Sequence, residues 1–213
     1  MTLAETRTGR RNMRPLWLLI GLFALPPIAA WLFYLNPHWL PEGRTNHGLL
    51  IDPPRAMTPV TLQIPETGIF DWGLLQDKWT MVVVAEGRCD AQCTEQLIKV
   101  RQIRRAMGAN RQRIERLLIL LPDTAGTLEP PALDGLEGTR LAIAAVSDKP
   151  AIQELFVLDQ ATLNNPLFLI DPRLELMMVH DMSQITSKQI LQDLERLLKA
   201  SQSWVKGGQY GHK

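Results

Sequence analysis

Trp79-Thr-Met-Val-Val-Val-Ala-Glu-Gly-Arg-Cys89-Asp-Ala-Gln-Cys93 is the stretch on which the fold turns. Its first half, Trp79 to Ala85, is a Val-rich apolar run with the composition of a buried central strand. Its second half holds the only two cysteines of the chain, Cys89 and Cys93. Beyond them Cys93, Leu97, Val100, Ile103 and Met107 recur at three- and four-residue intervals, which predicts a helix from Asp90 to Met107 with one buried stripe. Gly108 is placed to cap its end. A strand that runs into a thiol pair at the mouth of a helix suits sulfur chemistry, because a helix N-terminus favours negative charge and so stabilises a thiolate.

Working outward, Leu117-Leu-Ile-Leu-Leu121 reads as a second buried strand ended by Pro122-Asp123. Strand, helix, strand implies a parallel pair with a crossover helix. Upstream, Val60-Thr-Leu-Gln-Ile64 alternates like a half-buried strand, and Gly48 to Ile51 suits a short one. Pro37, Pro41, Pro53 and Pro54 mark residues 36–57 as a linker or edge segment. Downstream, 123–138 is loop-like and Leu141 to Val146 is apolar but of undecided type. Asp148-Lys-Pro150 opens a helix running to about Leu158. Pro166 to Ile170, the turn Asp171-Pro172-Arg173 and Leu174 to Val179 form an antiparallel hairpin, and a last helix covers Ser187 to Ala200. No internal repeat interrupts this order.

Leu16 to Leu35 is nearly all apolar, uncharged and long enough to cross a bilayer, with Pro26 and Pro27 predicting a kink. Arg7, Arg10, Arg11 and Arg14 precede it, which places the N-terminus in the cytoplasm and the remaining chain outside. The alternative is a cleaved signal peptide, for which Ile28-Ala-Ala30 is a poor processing site. The expected organisation is a basic N-terminus (1–15), a transmembrane anchor (16–35), a linker or edge segment (36–57), one external domain (58–200) and a flexible tail (201–213). A net charge of +1 gives no sign of nucleic-acid binding.

Cys89 is expected to be exposed beside Arg88, near the positive helix end, and Cys93 to be shielded at the head of the buried stripe. Such asymmetry gives an attacking and a resolving thiol. The alternative is a purely stabilising bridge, which across so short a loop is worth roughly 2 kcal/mol. The pair also suits Cu(I), a soft ion that commonly takes a further ligand, often His. Of the four histidines, His38 lies beside the anchor, His47 in the linker and His212 in the tail, which leaves His180 as the candidate. Zinc is disfavoured, since its usual four ligands are missing.

The strand–helix order with a thiol pair after the first long strand resembles the thioredoxin fold over roughly residues 75–200, an α/β fold here carried behind a transmembrane helix. The external domain, the anchor and the Cys-x3-Cys spacing together resemble the Sco/SenC family, and Leu169-Ile-Asp-Pro172 is similar to a segment of that family. Asn46-His-Gly48, Pro53-Pro54 and Arg101-Gln102 resemble a smaller group of single-span transmembrane cytochrome oxidase associated proteins. The resemblance implies copper binding through two cysteines and a distant histidine, thiol–disulfide reduction, and a role in cytochrome c oxidase assembly. The family's histidine position reads Asn164-Asn165-Pro166 here, so that ligand does not carry over. Pro166 instead resembles the cis-proline that faces thioredoxin thiols, and its other reading is a simple strand-start proline.

Lys99, Arg101, Arg104, Arg105, Arg111, Arg113 and Arg116 crowd one region, either as a solvated face or as a surface for anionic lipid or an acidic partner. The expectation is therefore a thioredoxin-like protein of the bacterial inner membrane with its domain in the periplasm. It would support cytochrome c oxidase assembly by reducing the cysteines of a copper site or delivering Cu(I), with an oxidase subunit or assembly factor as partner. A general periplasmic thiol–disulfide oxidoreductase and a non-catalytic assembly scaffold are the alternatives. No haem motif or nucleotide loop is evident, so no organic cofactor is expected.

Overall fold

The computed structural model describes residues 13–36, 39, 46–58, 60–65, 68–156 and 163–201. Arg7, Arg10 and Arg11, the helix end expected at Leu158 and the tail from residue 202 lie outside the described residues. The chain divides into two units, Met1–Thr45 and Asn46–Lys213. In the first, α1 (Arg14–Leu35) is a single helix containing both Pro26 and Pro27. By length and composition it is apolar enough to cross a membrane.

The second unit is built on an eight-stranded mixed sheet. Its strands are β1 (Leu49–Ala56), β2 (Leu62–Ile64), β3 (Gly68–Ile69), β4 (Trp79–Glu86), β5 (Ile114–Leu121), β6 (Thr139–Ala144), β7 (Pro166–Ile170) and β8 (Glu175–Asp181). They lie in the order β1-β8-β7-β4-β5-β6-β2-β3. Strand β4 pairs in parallel with β5 and antiparallel with β7, and β7 returns as the hairpin partner of β8. The Val-rich composition of β4 follows from its position, because a central strand covered on both faces needs apolar side chains in both directions. Met81 and Val83 point into one layer and Val82 into the other.

Helices α2 (Ala91–Ala106) and α4 (Ser187–Ala200) cover one face of this sheet, and α3 (Lys149–Phe156) lies on the other. Helix α2 buries Cys93, Gln96, Leu97, Val100 and Ile103, so the expected stripe is present, with a polar residue inside it. Gly108 has φ +55°, the left-handed geometry that ends α2. Helix α4 begins with a capping box in which Thr186 and Gln189 satisfy each other's backbone N–H groups.

The structure refines three of these readings. The segment of undecided type is β6, in parallel register with β5. The returning strand is shifted, running from Glu175 to Asp181, because Leu174 takes φ +67° in the turn. Within the segment expected to be a linker or an edge, residues 49–56 are the edge strand β1, longer than the short strand expected over Gly48 to Ile51, and the compact unit starts at Asn46. Leu49 and Leu50 pair with Val179 and Met178, and Arg55 and Ala56 with Leu176 and Glu175. Asp52, Pro53 and Pro54 fall in the register break between them, where the missing proline N–H groups cost no ladder bond.

Candidate functional site

Strand β4 delivers the chain to the thiol pair through a glycine turn. Gly87 has φ +66°, and a Cβ there would stand 3.1 Å from Cβ of Asp123. Its N–H donates to the Leu121 carbonyl at 2.8 Å, and its own carbonyl accepts from Glu129 N–H at 2.8 Å. Arg88 then pairs through its backbone with Glu129 as an isolated parallel β-bridge. The peptide before Cys89 is thus held to the end of β5 and the loop beyond it.

Asp90 starts α2 as its N-cap, accepting from Cys93 N–H at 2.9 Å. Cys89 stays outside the regular helix, and this allows Cys89 and Cys93 to form a disulfide with a Cα–Cα distance of 5.2 Å. Cys89 is half-buried, not fully exposed as expected, and Cys93 is 6% exposed. Thr94 Oγ1 lies 4.0 Å from Sγ of Cys89 and donates to the Asp90 carbonyl at 2.9 Å.

Beside the pair is a cleft of about 210 Å³, whose wall includes Arg88, Asp90, Cys93, Asn164, Asn165 and Pro166. Pro166 therefore reaches the region of the thiols. Its resemblance to a cis-proline does not hold, because the cis bond among the described residues is Asp52–Pro53 and the Asn165–Pro166 bond is trans. Gln96 Nε2 donates to the Pro166 carbonyl at 2.7 Å, Gln92 Nε2 to the Asn164 carbonyl at 3.0 Å and Met182 N–H to the Asn165 carbonyl at 2.9 Å. The carbonyls of this turn are taken up by α2 and the end of the hairpin. The sequence signal for Gln96 was its place on the buried stripe, three residues after Cys93.

His180 is elsewhere. It is 1% exposed, the next-to-last residue of β8, and its Nε2–H donates to Asp193 Oδ2 at 3.1 Å. Among the described residues no three His, Cys, Asp or Glu side chains gather as metal ligands, so His180 does not join the cysteines. Asp193, on α4, also accepts from His47 N–H at 2.8 Å, Gly48 N–H at 3.0 Å and His47 Nδ1–H at 3.1 Å. The Asn46-His-Gly48 motif is therefore a clasp between the start of the domain and α4. Gly48 is required there, since a Cβ would lie 2.7 Å from His180 Nε2 and 2.8 Å from the Met178 side chain.

The profile described as "Transmembrane-like, thioredoxin-like, C-terminal domain" matches residues 79–201, more than half of the chain. The chain belongs to this family. Among solved structures, this transmembrane-like, thioredoxin-like chain is similar to apo Sco1 of Thermus thermophilus, at 13% identity and a TM-score of 0.54, over 74% of this chain and 99% of that one. It is similar to yeast Sco1, at 15% identity and a TM-score of 0.52, over 66% of this chain and 92% of that one. It is similar to yeast Sco1 with copper bound, at 13% identity and a TM-score of 0.52, over 74% and 95%. These likenesses show the thioredoxin-like fold of the Sco structures. No curated protein matches the sequence.

Proposed function

We propose that this chain is a membrane-anchored thiol–disulfide oxidoreductase of the bacterial inner membrane that supports cytochrome c oxidase assembly from the periplasmic side. One observation carries the reading: two unequally buried cysteines joined in a disulfide at the N-terminus of α2. In the reduced chain, the Cys89 thiolate attacks one sulfur of a partner disulfide, forming a mixed disulfide and releasing the other partner sulfur as thiolate. The Cys93 thiolate then attacks Sγ of Cys89. The second partner thiolate leaves, the Cys89–Cys93 bond forms, and two electrons have passed to the partner. An external dithiol returns the pair to its starting state.

The partner proposed is an oxidase subunit or assembly factor whose copper-site cysteines must be reduced. The yeast Sco1 solved with copper supports a second reading, in which Cu(I) is the cargo and both thiolates hold it. The two thiols suit a soft ion. A histidine completing the site has no support from the position of His180, which is committed to Asp193.

Complementation of a strain lacking this chain tests the proposal. Cys89→Ser, Cys93→Ser and the double variant are each expected to lose oxidase assembly, and Cys93→Ser to accumulate a mixed disulfide through Cys89. Wild-type assembly with the double variant removes the reading. Restoration of unrelated periplasmic disulfide chemistry, without any effect particular to oxidase, favours a general oxidoreductase.

A further inference from the structure

The end of α2 remote from the cysteines gathers arginines. Arg101, Arg104 and Arg105 are spaced to share a helix face. Arg116, on β5 beneath them, is 3% exposed. Arg101 Nη1 donates to the Gly135 carbonyl, and Arg116 Nη2 to the Glu137 carbonyl. Arg104 Nε donates to the Ile114 carbonyl at 2.6 Å. Guanidinium groups from a helix and a strand thus converge beside the 135–138 turn.

Among the described residues their charge is answered only in part, by Glu137 near Arg101 and Arg105 and by Glu115 near Arg116. Among the described residues none of these arginines pairs with a carboxylate. Nε and Nη1 of Arg116 and Nε of Arg101 are buried without an acceptor. The nearby acid, Glu137, turns Oε1 to Gly135 N–H at 3.0 Å and stays exposed. Glu115 points to the other face of the sheet, where it meets Lys78 and Arg140. Burial and the neighbouring Arg104, Arg101 and Arg105 hold the Arg116 guanidinium below its ordinary range. A helix C-terminus favours cations, which accounts for Arg104 and Arg105. It does not account for a buried arginine on the strand below.

We infer that this cluster is an oxyanion site that takes a phosphate group. A phosphate offers several acceptors to guanidinium forks at once, which a single carbonyl cannot. The seat lies beside Arg101, Arg105 and the 135–138 turn, with the buried Arg116 behind it supplying field. Gly138, at φ +80°, keeps the turn close, since a Cβ there would be 3.2 Å from Arg116 Nη2. The phosphate group belongs either to free phosphate or to an anionic lipid headgroup.

The test uses the full-length protein in phosphatidylcholine nanodiscs, titrated with inorganic phosphate by calorimetry. Saturable binding is expected, weakened about tenfold or more in the Arg101→Gln/Arg105→Gln variant, because each lost charged hydrogen bond exceeds a neutral one. Glu137→Gln removes the competing negative charge and is expected to tighten binding. Circular dichroism confirms that these surface variants fold. Discs containing phosphatidylglycerol separate the sources: a blocked phosphate titration assigns the lipid headgroup, and an unchanged one assigns free phosphate. Absence of saturable binding from either source, or equal affinity in wild type and all variants, overturns the site.

Discussion

Asp193 is a buried carboxylate held by donors from both ends of the domain. Burial alone would raise its pKa, but the N–H groups of Gly48 and His47 and the two imidazoles outweigh that and keep it below the usual carboxylate range. Burial pushes His180 the other way, below its usual value of about 6.5, against the pull of Asp193. The folded state therefore holds His180 neutral while the unfolded chain takes up a proton. Its contribution is fully present above about pH 6.5 and is lost as pH falls toward the lower folded value. Asp193 has the same sign at more acid pH. Also facing this point are His47 and Arg196, whose Nη1 lies 3.7 Å from Asp193 Oδ1. The melting temperature is expected to drop between about pH 7.5 and 5.5, and His180→Gln to flatten that slope while lowering stability at the upper pH. A wild-type melting temperature independent of pH over this range contradicts the account. Little of this clasp was legible in the sequence, because His47 and Asp193 are 146 residues apart and no local pattern links them. The thiol pair was legible, because its spacing and its place before a periodic stripe are local facts.

Helix α2 carries the thiol chemistry at the scale of an element, and Asp90 serves it in two ways. As N-cap it satisfies Cys93 N–H, and as a carboxylate it puts negative charge beside a nascent thiolate. Substitution separates the roles. Asp90→Asn keeps the cap and removes the charge, so stability is expected to hold while the Cys89 pKa of the reduced chain falls. Asp90→Ala loses the cap and is expected to cost about 1 kcal/mol in denaturant unfolding. Equal stability of the Asn and Ala variants contradicts this division. Helices α2 and α4 and strands β4, β5 and β7 were readable because periodicity and apolar runs survive in any environment. Strand β1 was only half readable. Its prolines argue for a linker, and only its antiparallel pairing with β8, with Pro53 and Pro54 in the register break, makes them compatible with a sheet edge.

For the molecule as a whole, two apolar layers on either face of one sheet carry the stability, and the disulfide adds little. Reduction is expected to lower unfolding free energy by about 2 kcal/mol, the loop-entropy value for so short a ring, and to leave the fold intact. A reduced chain that loses its circular dichroism signal contradicts this. The thioredoxin-like order of elements was visible from residue 75 onward, whereas the closing of the sheet by β1 was not, since it depends on a partner near the other end of the chain. That partnership constrains biosynthesis. Leu49 leaves the ribosome early but finds its place only beside Val179, so its ladder hydrogen bonds wait unmade until translation has passed β8. Throughout that interval a nascent edge rich in leucine is open to other chains, and the prolines next to it act as a guard against premature pairing.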